Sequence, residues 1–151
     1  MTGLHHVGLT VSDLDESIAF YSALLGCRVR ERSQNSGDEI ETMTGVRGAS
    51  ILTADLEVPG GGLLELIQFV HPVATRLAQE RQQPGHTHLG FVVDSVDAAR
   101  ARLGELHAGQ ISKAVTIVEP GSAWDGVRAL YACDPDGRTI ECLEQRYEPR
   151  R

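Results

Sequence analysis

Between residues 4 and 11 the side chains alternate, with His5, Val7, Leu9 and Val11 on one parity and His6, Gly8 and Thr10 on the other. A period of two marks a strand with one covered face. The first set is largely apolar and belongs under a helix, so His6 points to the open side. At residue 13 the period changes. Asp13 and Glu16 form a capping-box pattern, Ile18, Tyr21, Leu24 and Leu25 recur at helical spacing, and Gly26 supplies a stop. A strand followed by an amphipathic helix is predicted.

The same pattern returns 82 positions later. "GLHHVGLTVSDLDESIAFYSAL" falls on "GHTHLGFVVDSVDAARARLGEL", where Gly3, His6, Gly8, Val11, Asp15, Ala19 and Leu24 meet Gly85, His88, Gly90, Val93, Asp97, Ala101 and Leu106. Identities in one register across a change of period point to an internal duplication. In the second copy, a strand at about 86 to 93 sends Leu89, Phe91 and Val93 to the helix side and His88 to the open side. A helix at about 95 to 107 follows Asp94 and carries Val96, Ala99, Leu103 and Leu106.

Each helix is followed by three β-like stretches, 27 to 34, 48 to 57 and 63 to 70, then 111 to 118, 127 to 133 and 138 to 144. "PGGG" and "DPDG" join the last two of each set as hairpins. The prediction is an α+β fold of paired βαβββ modules, residues 1–70 and 85–147, within one domain of 1–151. A short helical connector at 71–84 separates them.

Composition narrows the function. The chain is 41% hydrophobic and 23% charged, and no apolar run approaches the roughly 20 residues that span a bilayer. No membrane partner and no secretion signal are expected, which leaves the cytoplasm as the predicted compartment. A net charge of -7 and a single lysine, Lys113, speak against nucleic acid. Cys27, Cys133 and Cys142 form no C-x-x-C pair and are expected to be reduced packing thiols.

The candidate chemistry is symmetric. His6 and His88 occupy equivalent open-face positions, whereas His86 shares the parity of His88 but aligns with Leu4 and ranks second. "LLELIQF" and "TIECLEQ" place Glu65 and Glu141 among apolar neighbours at matching hairpin positions. A single strand histidine is more often a packing residue, and a single strand glutamate can be an edge charge that resists aggregation. Two of each at matching positions form a candidate site for one divalent ion, since imidazole and carboxylate together suit Zn, Ni, Co, Mn or Fe. Met43, Phe69 and Trp124 are candidate substrate-pocket residues, with packing as the alternative. "PGGG" lacks the lysine and helix of a phosphate loop.

On "LHHVGLTVSDLDESIAFYSALLGC", "LLELIQF", "THLGFVVDSVDAA" and "DPDGRTIECLE", the chain resembles the vicinal oxygen chelate superfamily of glyoxalase I, epimerases, extradiol dioxygenases and drug-resistance proteins. The resemblance implies paired βαβββ modules whose mixed sheet forms a cup around a metal held by His6, Glu65, His88 and Glu141. It also implies a homodimeric, metal-dependent lyase or isomerase acting on a small vicinal-oxygen substrate. Proton transfer would run through a metal-stabilised enolate, with Glu141 as ligand and proton shuttle and Glu65 facing it. A ring-cleaving extradiol dioxygenase and a non-catalytic antibiotic-binding protein are the alternatives. Where bacterial glyoxalase I carries an arginine and an asparagine for glutathione, this chain has Thr10 and Phe69, which points away from a glutathione hemithioacetal. The epimerase acid would fall near "ETMTGV", where Met43 and Thr44 stand and Glu41 is displaced.

Overall fold

The structure, a computed structural model, describes residues 3–76 and 80–144. The chain divides into two compact units, Met1–Leu77 and Ala78–Arg151. Each contains a mixed four-stranded sheet.

In the first unit, β1 (Val7–Thr10) leads to α1 (Leu14–Leu25), β2 (Arg28–Ser36), α2 (Asp38–Thr44), β3 (Ser50–Glu57) and β4 (Leu63–His71). The sheet order is β1-β4-β3-β2, with β1 parallel to β4 and the other pairs antiparallel. α1 starts as its sequence directs: Asp13 Oδ1 accepts the Glu16 amide at 2.9 Å. It ends at Gly26, whose φ of 72° is left-handed and costs glycine little. Its deepest face differs from the predicted stripe. Leu14, Ser17, Phe20 and Tyr21 are buried, while Ile18, Leu24 and Leu25 are half-buried. They pack with Leu9, Val11, Ala54, Leu56, Leu64 and Leu66 in the core of this unit.

In the second unit, β5 (His88–Val92) leads to α3 (Val96–Glu105), β6 (Val115–Thr116), β7 (Arg128–Cys133) and β8 (Thr139–Glu144), in the order β5-β8-β7-β6. Val96, Ala99 and Leu103 are buried as predicted, together with Leu130, Ala132, Ile140 and Cys142. The N-cap is Ser95 rather than Asp94, because the cap keeps its duplicated place while "SD" becomes "DS". Ser95 Oγ accepts the Ala98 amide at 3.2 Å. In both units the last strand also holds the helix start. Gln68 Oε1 accepts the Leu14 amide at 3.0 Å, and Glu144 Oε2 accepts the Val96 amide at 2.8 Å.

Three expectations change. α2 was not predicted; it has an acidic first turn and the left-handed Gly45 at its end. The stretch expected as a strand at 111 to 118 pairs regularly only at Val115–Thr116. The register slips along that edge, with Gly109 opposite Cys133 but Val115 opposite Ala129, and Ser112 Oγ takes the Tyr131 amide in place of a backbone carbonyl. The predicted connector helix is absent among its described residues, which run as extended chain and turns; residues 77–79 and 145–147 lie outside the description. No described helix is long and apolar enough to cross a membrane.

Candidate metal centre

Strand parity places His6 and His88 on the exposed side, as the alternation predicts. Leu9 and Val11 are buried while His6, Gly8 and Thr10 are exposed, and in the second unit His88, Gly90 and Val92 are exposed beside half-buried Leu89 and Phe91. His5 departs from its parity. It precedes β1, is exposed, and turns its Nδ1 to within 2.8 Å of His6 Nδ1.

Each unit then brings one predicted histidine to one predicted glutamate. His6 Nε2 lies 3.2 Å from Glu65 Oε2, and His88 Nε2 lies 3.3 Å from Glu141 Oε2. The parallel pairing of the first and last strands creates this match, setting Gly8 beside Glu65 and Gly90 beside Glu141. The glycines leave space over the carboxylates. A Cβ would stand 3.7 Å from Glu65 Oε2 at Gly8 and 3.6 Å from Glu141 Oε2 at Gly90. Glu141 is the better covered carboxylate, 13% exposed against 28% for Glu65.

These distances suit donors sharing a metal. Two bonds of about 2.1 Å put their donor atoms about 3.0 Å apart at a right angle and about 3.4 Å apart at the tetrahedral angle. Both observed separations fall in that interval. The His6 Nδ1 contact also fits: a proton on Nδ1, donated to His5, leaves Nε2 with its lone pair free. Among the described residues no three or more potential ligands gather, and each unit holds one histidine–glutamate pair.

The two pairs have different surroundings. Across β3 and β4, Asp55 stands opposite Glu65, and Glu31 of β2 stands opposite Asp55, an unbroken row of acids. The equivalent place opposite Glu141 is Tyr131, whose ring meets His88 edge-on at 5.6 Å. Burial, then the Glu141 carboxylate as charge and as hydrogen-bond acceptor, raise the Tyr131 phenol above its ordinary range, with Arg81 opposing them. The phenol is therefore a neutral donor at physiological pH. Burial, and secondarily Glu141, push the Cys142 thiol up to about 11. It is a protonated packing residue, and Cys27 and Cys133 are also free of disulfides and buried.

The other predicted site residues lie apart from these pairs in the chain. Phe69 is half-buried on β4 and shares the parity of Glu65. Met43, on α2, is 72% exposed, and Trp124, in the loop before β7, is 47% exposed. Glu41 is engaged locally, accepting the Gly48 amide at 2.9 Å. His86 is committed to Thr139 Oγ1 at 3.0 Å through Nε2, while its buried Nδ1 has no hydrogen-bond partner among the described residues. Asp55, Tyr131 and Arg81 were not singled out from sequence. The two strand partners become visible once the hairpins are superposed on Glu65 and Glu141, which sets position 55 on position 131.

Known proteins of similar sequence and fold agree with this architecture. The uncharacterized protein YwkD of Bacillus subtilis (strain 168) is 31% identical over 145 residues, covering 96% of this chain and 98% of its own length. YaeR of Escherichia coli (strain K12), also uncharacterized, is 29% identical over 143 residues, covering 94% and 95%. Among solved structures, a glyoxalase family protein from Bacillus cereus superposes with a TM-score of 0.81 at 21% identity, over 95% of this chain and 94% of that one. The fosfomycin resistance protein FosX from Listeria monocytogenes, complexed with Mn(II) and sulfate, superposes at 0.62 with 19% identity, over 96% and 93%. The Glyoxalase/Bleomycin resistance protein/Dioxygenase superfamily pattern matches residues 3–142, and the chain belongs to that superfamily.

Proposed function

We propose that this protein is a metal-dependent lyase or isomerase that moves a proton on a small molecule with vicinal oxygens. His6, Glu65, His88 and Glu141 are its ligand set for one divalent ion. The observation that carries the reading is the repeated pair, an imidazole Nε2 and a carboxylate Oε2 separated by 3.2 Å in one unit and 3.3 Å in the other, each beside a glycine. The Mn(II) in FosX lends support to a divalent metal. The same reading takes the protein as a cytoplasmic homodimer, built from modules 1–70 and 85–147 in one domain, that binds neither nucleic acid nor membrane.

A bound divalent ion supplies Lewis acidity, which makes a C–H next to the chelated oxygens more acidic. The residues of the chain do the rest. Glu141 is the carboxylate that takes and returns the proton, because it is the less exposed of the two and has a phenol donor beside it. Tyr131, opposite Glu141 in the sheet, is the neutral donor beside that carboxylate, and Glu65 is the second carboxylate. His6 is oriented by His5 through the contact between their Nδ1 atoms.

Elemental analysis of purified wild type beside His6→Ala and Glu141→Ala is the direct test. Near-stoichiometric divalent metal in the wild type and a large loss in both variants is expected. Near-zero metal in all three removes the basis for the proposal. With metal present, incorporation of solvent deuterium into a 2-hydroxy or 2-oxo substrate marks proton transfer, whereas oxygen consumption with a catechol would point to ring cleavage instead.

A further inference from the structure

Arg81 lies outside both duplicated modules, yet it is anchored on the sheet face that carries His88 and Glu141. Its Nε donates to Thr139 Oγ1 at 3.1 Å, its Nη2 to Cys133 Sγ at 3.7 Å, and its Cζ stands 5.8 Å from the centroid of the Tyr131 ring. Thr139 is 2% exposed, so the anchor is fixed in the sheet. Register assigns the face: His88 pairs with Thr139, Gly90 with Glu141, Tyr131 with Glu141 and Cys133 with Thr139. Residues paired in register project to the same side.

A guanidinium has five N–H donors, and the described contacts of Arg81 use two of them. No described carboxylate forms an ion pair with it, although the chain is acidic and Arg28, Arg32, Arg102, Arg128 and Arg138 each have one. An arginine fixed by a buried hydroxyl and an aromatic face, with donors remaining, is pre-organised for a planar oxyanion.

We propose that Arg81 recognises a carboxylate on the substrate, so that the molecule turned over is a small carboxylic acid with a vicinal oxygen, a 2-oxo or 2-hydroxy acid. The assignment of turnover rests on the metal-chelate reading above. One guanidinium matches the single charge of a carboxylate; a phosphonate dianion calls for further cations. Thr139 and Tyr131 are positioning residues that hold the guanidinium in place.

The test uses the full chain loaded with Mn(II), with ligand binding followed by water-proton relaxation. Oxalate is the carboxylate vicinal-oxygen probe, acetohydroxamate a vicinal-oxygen chelator that carries no carboxylate, and phosphonoformate the phosphonate probe. Arg81→Gln is expected to weaken oxalate about tenfold, as loss of a charge-assisted hydrogen bond does. It should leave acetohydroxamate and Mn(II) affinity unchanged, with Arg81→Lys retaining part of the oxalate affinity. Unchanged oxalate binding, or equal losses for oxalate and acetohydroxamate, overturns the proposal. A larger Arg81 dependence for phosphonoformate than for oxalate overturns the carboxylate class. In metal-free protein, oxalate should still shift the side-chain 15N–H resonance of Arg81, and no shift refutes the anion contact. Absence of Mn(II) binding in the wild type alongside that shift would end the metal reading and leave the anion contact standing.

Discussion

The two units use one scaffold to present two different electrostatic faces. Each sets a histidine, a glycine and a glutamate in the same register. In the first, Glu65 continues into Asp55 and Glu31. In the second, Glu141 is followed by Tyr131, and Arg81 lies over that ring. Like charges directly opposite one another destabilise a sheet, so the first face gains from a bound cation. The second face combines a carboxylate with a neutral donor and a guanidinium that has no carboxylate partner among the described residues, which suits an oxygen-rich substrate. The repeat gives the two histidine–glutamate pairs the same register, and the residue at one cross-strand position, Asp55 or Tyr131, makes their surroundings chemically distinct.

The cores beneath these faces differ too, and their truncation should give the largest effects. Leu66 in β4 is fully buried, and Cys142 holds the equivalent place in β8. Leu66→Ala should cost about 2–5 kcal/mol through lost transfer free energy and a residual cavity. Cys142→Ala removes less volume and should cost about 1 kcal/mol. Urea unfolding of the two variants measures the contrast, and equal losses would show that the second unit depends on this layer as heavily as the first.

The glutamates come next. Glu65→Ala and Glu141→Ala should each weaken divalent-ion affinity by about a hundredfold or more, exceeding the usual effect of changing a residue that only supports a ligand. Proton transfer distinguishes them: residual deuterium exchange at saturating metal should persist in Glu65→Ala and vanish in Glu141→Ala. Loss of exchange in the first variant alone would reverse the assigned roles.

The row partners should respond with opposite signs. Asp55→Asn relieves repulsion against Glu65 and Glu31, so the metal-free protein should gain about 0.2–1 kcal/mol while its metal affinity falls. Tyr131→Phe deprives Glu141 of a hydrogen-bond donor and should lose about 0.5–1.5 kcal/mol. Thermal melts with chelator present read both. Destabilisation by Asp55→Asn would mean that the acidic row is held by contacts other than metal.

Much of this was legible because parity and duplication are properties of the chain itself. Alternation at His6, Gly8 and Thr10 puts the histidine on the open side from the sequence alone, and the repeat selects His88 over His86. Tyr131 escaped because its partner by superposition is Asp55, and a comparison that seeks identities passes over a place where the copies diverged. α2 escaped because it is only seven residues long and none of its side chains is fully buried, too short a span for an apolar stripe to stand out. The edge near Ser112 looked like a strand because its composition is apolar, but side-chain and bulged pairing replaces the regular ladder there. Arg81 lay in a segment read as a connector, where neither copy offered an equivalent.

The smallest effect concerns the outer rim, where the duplicated Asp15 and Asp97 meet different arginines. Asp15 pairs with Arg32 in the first unit. Asp97 takes a two-pronged grip from Arg128, at 2.9 and 3.0 Å, and Arg128 also reaches Glu144 at 3.2 Å. The hydrogen bond and charge of Arg128 lower the Asp97 carboxyl below its ordinary value. A group whose pKa is lower folded than unfolded adds stability above its unfolded value of about 4, and that stability fades as pH falls through the folded value. Asp97→Asn should therefore lower the urea midpoint at neutral pH and converge with wild type in acid. The pair is exposed, so added salt should shrink the difference. A gap between variant and wild type that stays constant from neutral pH to well below the carboxylate range would assign the effect to helix capping or packing, and would remove the electrostatic distinction between the two rims.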